Sequence, residues 1–250
     1  MTLNIQGKLL DVLISKTADL EVEEVRIGLG YSAVKLNNGK AGLAWTPSNK
    51  GGGCTHLHAA GTLCGKPAAN LLGGLIGENA LLRALGVATA NALVASPIPG
   101  AFTGNALDPL EITSKDHVAM VGYFGPLVRE LQQGGCRLDI IELDSTRPGV
   151  LTPQEGKAAL ADCDVAILTG TSLITGTLDD LFASLGKPRG VVLLGPSAPL
   201  CPEVFAGTPL TQISGARVLD CDSVFRVISE GGGTPLLKHH VAFETIFLNR

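Results

Sequence analysis

The order of apolar and polar positions divides the chain into two parts with different patterns. In the first part, an Asn38-Gly39 pair between two alternating segments favours a tight hairpin, because both positions of the usual two-residue turn need positive φ. The pattern therefore predicts a small α+β unit with an antiparallel meander. Its predicted strands are 22–29, 32–36 and 40–45, and its predicted helices are 9–20, 66–72 and 79–95.

After residue 112, predicted strands and helices alternate. Two of the strands, Val165–Leu168 and Val191–Leu194, are uninterrupted apolar runs, which is typical of strands buried on both faces. Alternation with short links predicts a Rossmann-like α/β sheet of parallel strands covered by helices. The predicted strands are 117–121, 137–143, 165–169, 190–194 and 217–219, and the helices are 126–133, 153–160, 178–185, 202–205 and 223–229.

A segment rich in proline and glycine separates the two patterns. Residues 96–111 contain three prolines and two glycines, which favour a connection over a continuing element. We therefore expect an α+β domain over residues 1–100, a linker over 101–111 and a Rossmann-like domain over 112–250.

Composition narrows the classes of function. Hydrophobic residues make up 45% of the chain and charged residues 17%, which is enough apolar material for a packed core. The net charge of −4 and the lack of a basic cluster predict no nucleic-acid partner. The apolar runs are too short to cross a bilayer and no signal peptide is visible, so we expect a cytoplasmic protein without a membrane partner.

Three predicted strands end in glycine-bearing turns. Parallel α/β sheets bind ligands beyond the carboxyl ends of their strands, where glycine lets a ligand approach the backbone. Free N–H groups at the starts of the following helices favour anionic groups. The predicted ligand-binding residues at these turns are Gly122, Tyr123, Phe124, Gly125, Thr169, Gly170, Thr171, Gly195, Pro196 and Ser197.

An acidic residue completes this predicted site. Glu142 follows the second strand, 20 residues after Gly122, where dinucleotide-binding folds place a carboxylate on a ribose hydroxyl. The first turn departs from G-x-G-x-x-G, however, because bulky Tyr123 and Phe124 stand where a pyrophosphate needs room. Ordinary NAD binding is disfavoured, and a smaller or adenosyl-type ligand remains open. The alternative for Glu142 is a solvated strand end.

A second candidate site lies in the first part of the chain. Cys54, His56 and His58 share one face if the segment is extended, and thiolate and imidazole are ligands for zinc and similar metals. The spacing matches no common zinc motif. The alternative is a pair of surface histidines beside a glycine loop.

Several short motifs, in order along the chain, resemble one family. They are Val25-Arg-Ile-Gly28, Leu85-Gly-Val-Ala88, Gly122-Tyr-Phe-Gly-Pro-Leu127, Asp164-Val-Ala-Ile-Leu-Thr-Gly-Thr171 and Gly195-Pro-Ser197. The chain thereby resembles the uncharacterised bacterial and archaeal proteins called "putative heavy-metal chelation", which join an enolase N-terminal-like domain to a Rossmann-like domain. The resemblance implies a cleft between two domains and a role in binding metal. One departure is Ile174-Thr175-Gly176, where the family pattern implies an asparagine.

Two functions follow as hypotheses. The first is a binding protein that holds a heavy metal ion, or a metal-containing or anionic small molecule, in the cleft between the domains. The alternative is an enzyme acting on a nucleotide-like or adenosyl-type substrate, with Glu142, Asp144 and Asp222 as weak acid–base candidates. The apolar helix predicted at 79–95 leaves a homo-oligomer open, because either a second copy or the second domain would bury it.

Overall fold

The computed structural model describes residues 4–48, 56–144 and 146–248. The strands are β1 (Val22–Ile27), β2 (Tyr31–Leu36), β3 (Ala41–Trp45), β4 (His117–Val121), β5 (Arg137–Ile141), β6 (Val165–Thr169), β7 (Gly190–Leu194), β8 (Gln212–Val218) and β9 (Val241–Phe247). The α-helices are α1 (Ile5–Leu13), α2 (Ala68–Leu72), α3 (Ala80–Leu93), α4 (Gly125–Gly134), α5 (Pro153–Asp162), α6 (Ser172–Thr175), α7 (Leu178–Ser184), α8 (Pro202–Phe205), α9 (Cys221–Ser229) and α10 (Thr234–Leu237). Short 3-10 helices cover Ile14–Thr17, Gly73–Ile76 and Asp108–Leu110.

The N-terminal half, residues 4–95, contains the predicted meander. Its three strands pair antiparallel in the order β1-β2-β3. The hairpin between β2 and β3 is confirmed, but the turn differs from the expected one. Gly39 has a φ of 77°, whereas Asn38 is not among the residues of the described chain with positive φ. A glycine that closes the turn in the left-handed region supplies the reversal, so asparagine needs no unusual conformation.

Helix α3 crosses this sheet and explains the long apolar run. Asn79 caps its start by accepting hydrogen bonds from Leu81 N and Leu82 N. Gly42 lies so close to the helix that a Cβ there would stand 2.2 Å from Ala88 O. The helix contacts β2 and β3 on one side and α6 on another. Its burial is therefore accounted for within one chain.

The C-terminal half, residues 112–248, contains a six-stranded sheet in the order β5-β4-β6-β7-β8-β9. Strands β4 to β8 are parallel, as predicted, but β9 pairs antiparallel with β8. The sheet is thus mixed, and the prediction of a purely parallel sheet was wrong at this edge. Strand β8 also begins five residues before the predicted 217–219, because Gly215 and the polar residues around it hide a buried strand.

The two faces of this sheet differ in what covers them. Helix α4 and the segment containing Leu107 and Leu110 pack on one face, around Met120 and Ile167. Helices α5 and α7 cover the other face, where the core runs without a break into the N-terminal half. None of the helices in the described ranges has the length and apolar character that crossing a membrane requires.

Candidate functional site

The order of strands in the larger sheet reverses between β4 and β6. From β4 the chain moves outward to β5, then returns past β4 to form β6 on its other side. The carboxyl ends of β4 and β6 are therefore neighbours whose connections leave in opposite directions, which opens a crevice. Gly122 lies at this point with a φ of 94°, and a Cβ there would stand 3.0 Å from the Cβ of Thr169. Glycine is needed where the two strand ends meet.

A cavity of about 680 Å³ occupies this crevice. Its size lies within the range of roughly 300–1,000 Å³ that small-molecule sites span. All of its lining residues come from the C-terminal half, between the strand ends and helices α5 and α7. The apolar part is formed by Val121, Ile141, Leu143, Leu160 and Leu181, and the polar part by Glu142, Lys157, Thr169, Thr171, Ser172, Thr175, Thr177, Asp180 and Ser184.

Hydroxyl groups dominate the polar wall. Thr169 Oγ1 and Thr171 Oγ1 are 3.1 Å apart, and one of them donates to the other. The hydroxyl that accepts keeps its own proton available for a ligand. Ser172 Oγ donates to Thr169 O at 2.6 Å, which holds the start of α6 against the end of β6. The wall therefore offers hydroxyl donors and acceptors in an arrangement tied to the sheet.

The charges around the cavity do not favour a polyanion. Two carboxylates, Glu142 and Asp180, face one cation, Lys157. The N-terminus of α5 is already satisfied by a capping box, in which Glu155 accepts from Thr152 N at 2.8 Å. That backbone hydrogen bond, together with one from the Thr152 hydroxyl, lowers the pKa of Glu155. With its helix start occupied by its own carboxylate, the cavity suits a neutral or cationic ligand better than a phosphorylated one.

Glu142 stands at the edge of the cavity that β5 forms. It directly follows β5, is half-buried, and its backbone N–H donates to Leu151 O at 3.0 Å. Asp144, the next carboxylate along the chain, accepts from the hydroxyl of Thr146 at 2.7 Å. Asp222 lies in the first turn of α9, away from the cavity lining. Of the three acid–base candidates from the sequence, only Glu142 therefore reaches this cavity.

The remaining residues of the first glycine turn lie outside the lining. Tyr123 is partly exposed, and the guanidinium of Arg147 lies 3.9 Å from the centre of its ring. Phe124 packs into the core on the α4 face, and Gly125 begins α4. Tyr123 and Phe124, the bulky pair that disfavours a dinucleotide, therefore do not line the cavity. Of the residues in this turn, only Gly122 borders the cavity.

The third glycine turn contacts the N-terminal half instead of the cavity. Ser197 is 2% exposed, and its hydroxyl accepts a hydrogen bond from Trp45 N at 2.8 Å. Pro196 O accepts from the side-chain amide of Asn91 at 3.0 Å. Gly170 packs onto the same turn, since a Cβ there would stand 2.6 Å from Ala198 N. Gly122, Glu142, Thr169 and Thr171 are thus the members of the predicted set that line the cavity.

Sequence reasoning missed the residues that α5 and the segment after β6 contribute. On α5, Pro153, Lys157 and Leu160 line the cavity, and their spacing of four and three residues places them on one helix face. Ser172, Thr175 and Thr177 line it from the other side. The helical spacing was visible in the sequence, but it did not reveal which face of α5 turns towards the strand ends.

Of the predicted metal ligands, His56 and His58 are not part of the cavity lining. Cys54 falls outside the described residues, and the exposed rings of His56 and His58 have centroids 4.6 Å apart. In the ranges that the structure describes, no group of three or more His, Cys, Asp or Glu residues is placed to hold a metal ion. Burial raises the pKa of Cys163 to about 11 and that of Cys201 to about 12, so both thiols are protonated at neutral pH.

Known proteins resemble this chain over nearly its whole length. An uncharacterised protein of Methanocaldococcus jannaschii is 26% identical, over 94% of this chain and 93% of that protein. A crystal structure from Pyrococcus horikoshii matches with a TM-score of 0.86 at 19% identity, and one from Desulfitobacterium hafniense with 0.80 at 24%. Each covers 98% of this chain and 100% of its own, and both are proteins of unknown function.

Family models match both halves of the chain. One covers residues 105–247 and the other residues 10–94, and each carries the description "putative heavy-metal chelation". The first match alone spans more than half of the chain, and the two solved structures come from the same family. The chain therefore belongs to the family described as "putative heavy-metal chelation".

Proposed function

We propose that this protein binds a small organic molecule in the cavity at the carboxyl ends of β4 and β6, and that a heavy metal reaches the protein as a complex with that molecule. The observation that carries the proposal is the cavity itself, which lies at the reversal of strand order and is walled by hydroxyl groups. Ligands of α/β sheets bind at such reversals.

The chemistry of the lining supports an indirect role for the metal. Heavy metals of soft character prefer thiolate and imidazole ligands, whereas the cavity presents hydroxyls, two carboxylates and an ammonium group. These groups are suited to hydrogen bonds with the oxygen and nitrogen atoms of an organic chelator. Direct binding at Cys54, His56 and His58 stays a separate prediction.

The test compares bare metal with chelated metal. Untagged protein is titrated in a thermal-shift assay with nickel, cobalt and zinc ions, and with each metal as its citrate or histidine complex. Elemental analysis then measures the bound metal. We expect the histidine complexes, which are neutral or cationic, to stabilise the protein, and the bare ions and the anionic citrate complexes to have little effect. Binding at a hundredfold excess over Kd stabilises the folded state by about 2.7 kcal/mol.

A matched pair of variants locates the binding. Ala183 lines the cavity and is exposed on α7, so Ala183→Phe fills the space without disturbing the core. Ala158 is exposed on α5 and is not part of the lining, so Ala158→Phe serves as its control. Binding should be lost in the first variant and kept in the second. If the protein instead binds bare metal and Cys54→Ser abolishes that binding, the metal site is the one predicted at Cys54, His56 and His58.

One observation favours an enzyme as a second candidate. Glu142 lines the cavity at the end of β5, where related sheets hold a ribose hydroxyl, and Gly122 borders the same space. An adenosyl-type substrate fits these groups and the charge of the lining better than NAD or ATP. Calorimetry with S-adenosylmethionine, adenosine, NAD and ATP tests it: the first two should bind, and Glu142→Gln should weaken them. No heat from any of the four would remove this candidate.

A further inference from the structure

The cavity wall that carries the hydroxyls is held from behind by the N-terminal half. We call residues 171–180 the hydroxyl segment. The side-chain amide of Gln6 donates to Leu173 O at 2.8 Å, and Arg83 Nε donates to Ile174 O at 2.6 Å. Further along, the backbone N–H of Ile5 donates to the carboxylate of Asp179 at 3.3 Å. Three contacts from α1 and α3 thus reach across to one wall of the cavity.

Arg83 holds two segments of chain at once. Besides Ile174 O, its guanidinium donates through Nη1 to Gly77 O at 2.8 Å and to Glu78 O at 2.7 Å. The short helix α6 ends at Thr175, and its last carbonyls lack partners within the helix. A cation at that end satisfies them and is favoured by the helix dipole. Arg83 therefore ties the turn before α3 to the end of α6.

A small depression that is open to solvent also borders the hydroxyl segment. It measures about 160 Å³ and is lined by Gln6, Arg83, Thr175 and Gly176, among others. Thr175 borders both this depression and the larger cavity. Where solvent stands in place of packed protein atoms, dispersion contacts do less to fix the position of the chain. Just before Thr175, the hydrogen bonds from Gln6 to Leu173 O and from Arg83 to Ile174 O hold the segment in place.

We propose that Arg83 is a positioning residue for the ligand cavity: its hydrogen bonds hold the hydroxyl segment in place beside the open depression and so couple the ligand site to the docking of the N-terminal half. Loss of the guanidinium frees Ile174 O and lets the segment move towards Gln6, which displaces the hydroxyls of Thr171 and Thr175. The consequence for ligand affinity rests on the proposed function, whereas the change in the segment itself does not.

Hydrogen exchange of the ligand-free full chain tests the positioning directly. The amides of Ile174, Thr175 and Thr177 bond to carbonyls within the segment and report its opening. In Arg83→Leu we expect these amides to exchange about ten to a hundred times faster, since charge-assisted hydrogen bonds are lost. Amides of β7 should not change. Arg83→Lys, which keeps the charge and one donor centre, should restore part of the protection.

Two controls separate positioning from a general loss of structure. Arg129 is exposed on α4, so Arg129→Leu should leave exchange in the hydroxyl segment unchanged. If Arg83→Leu does not fold, Gln6→Leu removes one anchor alone and should give a smaller acceleration confined to the same amides. Unchanged exchange in the segment, or equal acceleration throughout α3 and β7, would overturn the proposal.

A binding measurement then links the segment to the site. Calorimetry with adenosine as the probe should show an affinity at least about tenfold weaker in Arg83→Leu than in Arg129→Leu, because a displaced wall loses its hydrogen bonds. Full affinity in Arg83→Leu despite faster exchange would refute the coupling. If adenosine does not bind the wild type, the adenosyl-type candidate fails, and the exchange data alone decide whether Arg83 positions the segment.

Discussion

The turns at Gly122 and Gly195 are alike in sequence, but one borders the ligand cavity and the other packs against the N-terminal half. Each glycine directly follows a buried parallel strand and has a positive φ, 94° at Gly122 and 114° at Gly195. The first borders the ligand cavity, whereas the second leads into Ser197, which is buried against Trp45. Strand β4 ends where the strand order reverses, whereas β7 ends where the order continues from β6 to β8, and the turn after it contacts the N-terminal half. The neighbours of a turn, not its residues, determine whether it binds a ligand or packs.

We call the turn after Gly195 the closed turn, because the N-terminal half covers it, and the cavity beside Gly122 the open site. The largest expected loss of stability comes from a change at Gly170, which packs onto the closed turn. In Gly170→Ala the new Cβ would lie 2.6 Å from Ala198 N and 2.8 Å from the carbonyl carbon of Ser197, and backbone atoms cannot yield cheaply. We expect a loss of about 3 kcal/mol in the free energy of unfolding, measured by urea denaturation. Gly134→Ala, on α4 with no atom within 4 Å, is the control and should cost nothing. Equal stability of the two variants would mean that the closed turn is loosely packed.

Removal of the hydroxyl at the closed turn should come next. Ser197→Ala leaves Trp45 N without its acceptor, so the free energy of unfolding should fall by about 1–3 kcal/mol. Ligand binding in the cavity should not change, because Ser197 is not part of its lining. Denaturation and calorimetry on the same preparations check both statements. A loss of binding without a loss of stability would reverse the assignment of the two turns.

Removal of a hydroxyl at the open site should have the opposite effect: a loss of ligand affinity with little loss of stability. Thr171→Val keeps the shape of the side chain but removes the hydroxyl that pairs with Thr169. Since Thr171 is partly exposed at the cavity, the cost in unfolding free energy should stay within about 0.5 kcal/mol, as for most surface substitutions. Affinity for the bound molecule should fall about tenfold, from the loss of one hydrogen bond. A stability cost equal to that of Ser197→Ala would contradict the distinction between the turns.

The smallest effect concerns the helix that forms the other wall of the open site. The hydrogen bonds from Thr152 hold the pKa of Glu155 below its usual 4.5, so the folded state favours the charged carboxylate. Its contribution to stability is therefore present above pH 4.5 and is lost as the pH falls through the lowered pKa. Glu155→Gln should lower the melting temperature slightly at pH 7, and the difference from wild type should vanish in acid. A difference that persists in acid would show that the carboxylate does not cap α5.

Much of the fold was predictable because it depends on local rules. The apolar runs at Val165–Leu168 and Val191–Leu194 are buried strands, and Asn79 and Thr152 cap helices where short polar side chains favour helix starts. Strand β9 was missed because Glu244 and Thr245 interrupt its apolar residues, and only the pairing with β8 and Arg217 explains why both are buried. Helices α6 and α10 have four residues each, too few to show a period.

The candidate site was predictable only in part. Strand ends with glycine pointed to Gly122, Thr169 and Thr171, and the distance along the chain pointed to Glu142. Ser172, Thr175 and Thr177 gave no signal, because hydroxyl residues are common in loops and nothing local distinguishes those that face a cavity. Arg83 gave none either, since its three acceptors are backbone carbonyls, two of them near Gly77 and one at Ile174, 91 residues away.

By itself the sequence determined where most of the strands and helices form and which turns need glycine, because hydrophobic periodicity, capping and backbone freedom act over a few residues. The tertiary structure alone decided the order of the strands, and with it which glycine turn meets open space. It also decided that the hydroxyl segment is held by residues from the other half of the chain. Contacts between distant segments depend on how the elements pack, and no local pattern encodes them.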